Sequence, residues 1–358
     1  MISKKYSYID SLRGIAVILV LFSHFRYSFP INILKSDDTL NLILSFFDFG
    51  GKGVQLFYIL SAFTLFNSYY YRKQNGNSNV VSFYIRRFFR IAPLFYICLL
   101  AMILNNHYQI FQNEIFFQKR LELDQINYNI TNVKQWYLST FLFINGFFPK
   151  YIQSPYPGGW SIAVEFTFYM LIPILVNYIT SFKKSLFFLI ICFAISFAIE
   201  SIVIIFKLNG TIGDYFILSI LHQLYFFSIG ILFFFIKNDI FKFNRMSLII
   251  GFIIIIFSIL LRSPYLISGL IFFIILFYNS KIGFLKYNLI QYIGKISFSL
   301  YLVQWWAIIL ISKLLISYKF NYFLLFIIYI FFSIILASFT YLVEKYFIKK
   351  GEILISKL

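Results

Sequence analysis

The chain has 358 residues, of which 61% are hydrophobic and only 12% are charged. Its mean hydropathy is +0.82, whereas soluble domains contain about 45–50% apolar and about 25% charged residues. This composition excludes a soluble globular protein and an intrinsically disordered chain, because a soluble fold of this length has too small an interior to bury so much apolar surface. The sequence therefore predicts an all-α polytopic membrane protein.

Apolar stretches separated by polar clusters predict about ten transmembrane helices, since each crossing needs about 20 apolar residues. They form one transmembrane domain over residues 1–358, and no additional soluble domain is expected. In chain order the predicted spans cover residues 9–29, 52–71, 84–105, 160–180, 185–206, 215–236, 246–262, 264–280, 289–312 and 321–343.

One apolar stretch, residues 136–148, is too short to be a normal span. It lies within the long polar region 106–159. If it crossed the membrane, the basic residues Lys183 and Lys184 would move to the outer face. We therefore expect a short re-entrant or interfacial segment here.

The excess of basic residues sets the predicted orientation. The chain carries 31 Lys and Arg against 13 Asp and Glu, a net charge of +18. Basic residues collect in the cytoplasmic loops of membrane proteins, and with ten spans the basic clusters all fall on one side. Both termini are therefore predicted to be cytoplasmic. The charge is explained by topology and contact with membrane lipids, and no nucleic-acid partner is expected.

Two polar residues of the first span lie on one helix face. Arg13 and His24 are eleven positions apart, which at about 100° per residue leaves only about 20° between their directions. Their separation along the axis is about 16 Å. Each residue alone has a structural interpretation, as an arginine reaching towards the headgroups or as a histidine in a helix contact. Their shared face favours a functional interpretation.

Two further groups of charged residues are site candidates. Arg87 and Arg90 share a face at the start of the third span, where two guanidinium groups suit a phosphorylated ligand; positive-inside topology is the alternative. Glu165, in the fourth span, is predicted at a depth similar to that of His24. A carboxylate there needs a partner, either the His24 imidazole or a local bond between helices.

The remaining candidates are polar or aromatic residues that could line a cavity or bond between helices. No set of residues indicates a metal site, and Glu200 and His222 are interpreted as structural. The cavity candidates are Gln55, Ser61, Trp160, Tyr301 and Gln304.

Six segments in order resemble the acyltransferase 3 family of integral membrane acyltransferases. The segments are IDSLRGIAVILVLFSHF, GVQLFYILSAF, RRFFRIAPLFY, WSIAVEFTFYMLIPIL, GKISFSLYLVQW and YLVEKYF, which together run from residue 9 to about 347. Members commonly O-acetylate bacterial surface polysaccharides. The sequence departs from the family pattern at Gln55, where members often carry an acidic residue, at Ala62, where glycine is usual, and at Gln304, where many have histidine.

The resemblance implies a ten-helix protein of the bacterial inner membrane. It would transfer an acyl group, most often acetyl, from cytoplasmic acyl-CoA to a hydroxyl of a surface polysaccharide or its lipid-linked precursor, such as O-antigen, capsule or exopolysaccharide. Acyl-CoA would be a donor substrate, and no permanently bound cofactor is implied. The resemblance carries function onto Arg13, His24, Arg87, Arg90 and Glu165.

The mechanism expected from these residues is acyl transfer within the membrane. The three arginines would bind the donor phosphates, and His24, oriented by Glu165, would act as general base, directly or through an acyl-histidine. Tyr301, Gln304 or a backbone amide would stabilise the oxyanion. Two alternatives remain open, namely a flippase or polymerase of lipid-linked glycans and a non-catalytic transport component.

Overall fold

A computed structural model describes residues 7–28, 50–104, 133–239, 287–315 and 322–357. Helices make up 88% of these residues, and no strand occurs within them, so the predicted all-α class is confirmed for this part of the chain. The helices are, in chain order, α1 (Ser7–Ser28), α2 (Gly53–Gln74), α3 (Val80–Leu104), α4 (Val133–Phe141), α5 (Gly159–Tyr178), α6 (Phe182–Ile205), α7 (Gly210–Leu218), α8 (Ile220–Asp239), α9 (Asn288–Lys295), α10 (Ser297–Leu315) and α11 (Tyr322–Ile355). Single-turn 3-10 helices cover Gly50–Lys52, Asn145–Phe147 and Pro149–Tyr151.

The chain divides into two compact units. Within the described residues, unit 1 contains residues 55–84 and 133–239, which include most of α2 and all of α4 to α8. Unit 2 contains residues 7–28, 50–54, 85–104, 287–315 and 322–357, which include α1, most of α3 and α9 to α11.

Unit 1 is held together by aromatic rings between helices. The ring of Phe227, on α8, is fully buried. It stacks on Tyr58 of α2 with centroids 4.5 Å apart and on Phe168 of α5 with centroids 3.9 Å apart. Gly230 lets α8 approach α2, since a Cβ there would lie 2.2 Å from the carbonyl oxygen of Ile59. Offset aromatic pairs of this kind add about 0.5–1.5 kcal/mol each beyond their burial.

Unit 2 is built on a backbone contact between α1 and α9. A Cβ on Gly294 would lie 1.6 Å from the carbonyl oxygen of Asp10, and one on Gly14 would lie 2.6 Å from that of Ile290. The two pairs lie one turn apart on each helix, so small residues bring the two backbones together, as is common between membrane helices. Further along α1, Phe25 stacks on Tyr329 of α11 with centroids 5.3 Å apart.

Six described helical segments are long and apolar enough to cross a membrane, and a bent helix pair raises the number to seven. The structure is thus typical of a multi-pass membrane protein, but the predicted count of about ten is not confirmed. Two predicted spans, 246–262 and 264–280, lie outside the described residues. The α2 helix forms where a span was predicted but is not among the six, because Gln55, Thr64 and Asn67 lower its hydropathy.

The predicted span 289–312 is wrong as a single helix. It consists of α9 and α10, which are bent by 77° relative to each other at Ile296. Hydrogen bonding continues through the bend, because the Ile296 amide donates to the Tyr292 carbonyl and the Ile296 carbonyl accepts from the Leu300 amide. Hydropathy averages over the bend and therefore does not detect it. The amphipathic α9, with Gln291 and Lys295 one turn apart, is distinct from the apolar α10.

The stretch 136–148 is not a spanning helix, in line with its predicted short length. The nine-residue α4 ends near Phe143, which adopts a left-handed φ of 56°. The chain then folds back, since the Trp136 indole donates to the carbonyl of Gln153 at 2.5 Å and the Asn145 amide donates to that of Ile152 at 3.3 Å. Gln153 in turn donates to Asp214 of α7 at 3.0 Å.

Candidate active site

The His24 imidazole lies among side chains of α10 in unit 2. Its ring centroid is 4.4 Å from that of Trp305 and 6.4 Å from that of Tyr301. The Gln304 side chain is a hydrogen-bonding neighbour of the ring. Within the described residues, the buried Nδ1 of His24 makes no hydrogen bond. The ring is therefore held by packing, and one nitrogen remains available for proton transfer.

Hydrogen bonds hold both the oxygen and the nitrogen of the Gln304 side-chain amide. It is fully buried. The Tyr329 hydroxyl donates to Gln304 Oε1 at 3.1 Å, and Gln304 Nε2 donates to the carbonyl of Tyr301 at 2.8 Å. An amide restrained in this way keeps one orientation relative to the His24 ring. The structure thus brings together three of the predicted residues, His24, Tyr301 and Gln304.

A second polar group in unit 2 contains the arginines predicted for the donor. The Glu344 carboxylate is 3% exposed and accepts a hydrogen bond from Ser299 at 2.8 Å. Arg90, more strongly, and Arg13 act on it electrostatically. Arg13 also lies 3.9 Å from Asp10. We call Asp10, Arg13, Arg90 and Glu344 the arginine–carboxylate cluster.

The two groups occupy opposite ends of one helix. Because α1 is a continuous helix over both Arg13 and His24, the arginine–carboxylate cluster and the imidazole are about 16 Å apart along its axis. Arg87 lies one turn before Arg90 on α3 and is half-buried. All three predicted donor arginines therefore belong to unit 2, and their guanidinium groups match phosphate oxygens in geometry.

The predicted carboxylate Glu165 lies in unit 1, on α5. Its Oε1 accepts hydrogen bonds from Ser61 of α2 and from Tyr169, both at 2.6 Å. Ser61 thus bonds between helices, one of the two alternatives considered for it.

Two other predicted residues, Trp160 on α5 and Gln55 on α2, also belong to unit 1. Trp160 is half-buried in the first turn of α5. There α2 is tied to α5, because the Tyr58 hydroxyl donates to the carbonyl of Ser161 at 3.2 Å. Gln55 is 7% exposed on α2. Since His24 and Glu165 belong to different units, their predicted pairing stays a prediction.

The sequence matches the acyltransferase domain of the acyltransferase 3 family over residues 6–342. This match covers nearly the whole chain and confirms the resemblance of the six segments. The chain belongs to the acyltransferase 3 family.

Two relatives of this acyltransferase 3 member are named O-acetyltransferases. The chain is 29% identical over 175 residues to the peptidoglycan O-acetyltransferase OatA of Listeria monocytogenes and 26% identical over 176 residues to the O-acetyltransferase OatA of Staphylococcus aureus. Each match covers 48% of this chain and 24% of the relative, so it spans about a quarter of the relatives' length. No solved structure matches the chain.

One departure from the acyltransferase 3 pattern has a structural counterpart. The methyl group of Ala62 is fully buried and faces Gly230 of α8, where an added Cβ would lie 2.8 Å from it. The methyl that replaces the usual glycine on α2 is therefore accommodated by a glycine on the facing helix.

Several residues of the site were not found from the sequence. Tyr169 is four residues after Glu165, so helical spacing was a sufficient signal for this bond. Trp305 and Tyr329 contact the His24 site through packing of α1, α10 and α11, which has no local sequence signal. In the described part of the chain, no group of three or more His, Cys, Asp or Glu is arranged to hold a metal.

Proposed function

We propose that this protein is a membrane O-acetyltransferase that moves an acetyl group from acyl-CoA to a hydroxyl of a cell-surface glycan. Membership of the acyltransferase 3 family supports the reaction class. The observation that carries the proposal is the His24 site, a histidine on an apolar helix with a fixed amide neighbour and an Nδ1 that makes no hydrogen bond within the described residues.

The donor would be bound by the arginines of unit 2. Arg13 and Arg90 both act electrostatically on Glu344, and Arg87 lies one turn away from Arg90. Arginine binds phosphate oxygens with two parallel hydrogen bonds, and coenzyme A carries several phosphates. With its phosphates at these arginines, its long pantetheine arm would extend along α1, and its thioester would approach His24 about 16 Å away.

In the proposed chemical step, the His24 imidazole acts as the general base. His24 takes the proton of the acceptor hydroxyl as its oxygen attacks the thioester carbonyl carbon. The tetrahedral intermediate then collapses, the carbon–sulfur bond breaks, and the thiolate leaves with the proton returned by His24. The products are an acetyl ester and free coenzyme A. Glu165, as proposed orienting carboxylate, would stabilise the imidazolium formed in between.

The acceptor and the location are proposed from the relatives and from charge. The Listeria relative is named for peptidoglycan, so peptidoglycan joins O-antigen, capsule and exopolysaccharide as a candidate acceptor. The orientation set by the basic clusters would place both termini in the cytoplasm and the donor arginines at the inner face of the bacterial cytoplasmic membrane. His24 and Glu165 would then lie towards the outer face, where such a glycan is found.

The test compares wild type with His24→Ala and Glu165→Gln in a product assay at matched membrane abundance. Mass spectrometry of surface glycan from the same cells would detect the added acetyl group and identify the sugar that bears it. We expect acetylation to be lost in the first variant and reduced in the second. Near-wild-type acetylation by His24→Ala would overturn the mechanism.

Dependence on the donor distinguishes the reaction from glycan transport. Acetyl-CoA should protect the purified protein against thermal unfolding, because a ligand that binds only the folded state stabilises it. A flippase or polymerase would act without acyl-CoA and would show no such protection. A non-catalytic family member would be protected but would not release coenzyme A.

A further inference from the structure

Glu344 is the most deeply buried carboxylate of the described residues, and the proposed chemistry does not use it. It lies on α11, with 3% of its surface exposed. An ionised carboxylate on an apolar helix is unfavourable unless charged or hydrogen-bonding partners surround it. The groups that surround Glu344 in unit 2 therefore indicate its role.

The first partner of Glu344 is Ser299. The serine hydroxyl donates to Glu344 Oε2 at 2.8 Å, and Ser299 itself is fully buried. Ser299 lies in the first turn of α10, directly after the 77° bend at Ile296. The hydroxyl that bonds Glu344 therefore lies at the beginning of α10, next to the bend.

The other partners are arginines from two further helices. Arg90 of α3 acts on the carboxylate more strongly than Arg13 of α1 does. Close contacts at two glycines bring these helices together. Gly351, two turns after Glu344, packs on Phe89, where an added Cβ would lie 2.8 Å from the Phe89 Cβ. Gly294 of α9 packs on the backbone of Asp10 of α1, and Asp10 lies one turn before Arg13.

A pair of arginines in a poorly solvated position needs a fixed negative charge. Two guanidinium groups repel each other, and this repulsion is stronger in an apolar environment than in water. A buried carboxylate that interacts with both of them offsets this repulsion. Breaking such a set by removing one member leaves an uncompensated charge, which is strongly unfavourable.

We propose that Glu344, held by Ser299, is the positioning residue that sets Arg90 and Arg13 for the phosphate groups of the acyl-CoA donor. The inference rests on the proposed function, since it assumes that these arginines bind the donor. Glu344 itself does not touch the donor. It acts through the two arginines, so its removal should weaken donor binding and leave the chemical step at His24 unchanged.

A competing role makes the opposite prediction. If the Glu344 carboxylate occupied the place of a donor phosphate, the donor would have to displace it. Removing its charge would then strengthen donor binding. If the carboxylate only stabilised the fold, neither the KM for acetyl-CoA nor kcat per folded molecule would change.

The experiment measures kcat and the KM for acetyl-CoA with purified full-length protein. The variants are Glu344→Gln, which keeps the size and an acceptor for Ser299, Ser299→Ala, and Glu344→Asp as the conservative replacement. Glu352→Gln is the matched control, because Glu352 is an exposed carboxylate on the same helix. Size-exclusion profiles set the folded concentration for each variant.

We expect Glu344→Gln to raise the KM for acetyl-CoA about tenfold, as expected for the loss of one charge-assisted contact, with kcat unchanged. Ser299→Ala should raise the KM less than Glu344→Gln does. The KM of Glu344→Asp should lie between those of Glu344→Gln and wild type, and the KM of Glu352→Gln should equal that of wild type. A lower KM in Glu344→Gln, or an unchanged KM, would overturn the proposal. If Glu344→Gln does not fold, an unchanged KM in both Ser299→Ala and Glu344→Asp overturns it instead.

Failure of this inference is distinguishable from failure of the proposed function. If wild type shows no saturable dependence on acetyl-CoA, the proposed function fails. If Arg90→Ala raises the KM while Glu344→Gln does not, the arginine binds the donor without help from Glu344, and only the present inference is wrong.

Discussion

Two histidines of this protein lie beside a glutamine on apolar helices, and their surroundings differ. His222 of unit 1 uses both ring nitrogens, with Nε2 at 3.1 Å from Glu200 Oε1 and Nδ1 at 3.2 Å from Gln223 Nε2. His24 of unit 2 also has a glutamine neighbour, Gln304. Its Nδ1, however, makes no hydrogen bond within the residues that the structure describes.

The bonds of His222 assign a hydrogen-bonding role to each ring nitrogen. Gln223 Nε2 also donates to the carbonyl of Ile217 at 2.8 Å, so the atom facing the ring is a nitrogen. An amide nitrogen only donates. Nδ1 of His222 is therefore the acceptor, and Nε2 carries the hydrogen that Glu200 accepts. Both ring nitrogens of His222 are thus bonded within the protein, whereas Nδ1 of His24 makes no hydrogen bond within the described residues.

The largest expected effect is that of His24→Ala. Loss of the general base should lower acetyl transfer per folded molecule by about 100-fold or more, because positioned bases contribute about 10²–10⁴-fold. Coenzyme A release and acetylated product are both measured. If His24→Ala retained activity while His222→Ala lost it, the roles assigned to the two histidines would be reversed.

The next largest effect should come from Glu165→Gln. His222 has its carboxylate within the same unit, whereas the proposed carboxylate partner of His24 belongs to unit 1. Removing the charge should lower kcat about tenfold, as expected for the loss of one charge-assisted interaction. Tyr169→Phe serves as the milder variant, since it removes one of the two hydroxyl donors to Glu165. Equal kcat in Glu165→Gln and wild type would show that His24 works without this carboxylate.

His222→Ala should affect stability rather than catalysis. The change removes a bond of the buried Gln223 and the partner of the partly exposed Glu200, at a cost of about 1 kcal/mol. We expect a lower unfolding temperature in detergent, with turnover per folded molecule within about twofold of wild type. A loss of turnover that exceeds the loss of folded protein would contradict the structural role of His222.

Tyr329→Phe should have a smaller effect on kcat than either of the variants at His24 and Glu165. The ring that stacks on Phe25 is kept, but Gln304 Oε1 loses its donor, which costs about 1 kcal/mol. We expect a fall of a few-fold in kcat, because Gln304 is less restrained beside His24. Tyr346→Phe is the matched control, since Tyr346 is an exposed tyrosine of the same helix. Equal kcat in the two variants would exclude a role for the hydroxyl of Tyr329 in positioning His24.

Features within one helix could be predicted from the sequence. Arg13 and His24 share a face because they lie on an uninterrupted helix, and Glu165 with Tyr169 follows the same rule. Features that depend on the packing of separate helices could not be predicted. The bond from Tyr329 to Gln304 joins residues 25 positions apart, and the bond from Ser299 to Glu344 joins residues 45 positions apart. Hydropathy averages over the bend at Ile296, so it predicted one span where there are two helices.

The backbone contact between α1 and α9 has a consequence for mutational scans. At Gly294 even a methyl group would overlap the carbonyl of Asp10, and at Gly14 it would overlap that of Ile290. Every substitution there must separate the two helices, and with them Arg13 from its neighbours. In a saturation screen scored by acetylation alone, these two glycines should be as intolerant as His24. Intolerance to substitution is therefore a poor guide to the catalytic residues of this protein, and scoring the same library for membrane abundance would separate the two groups.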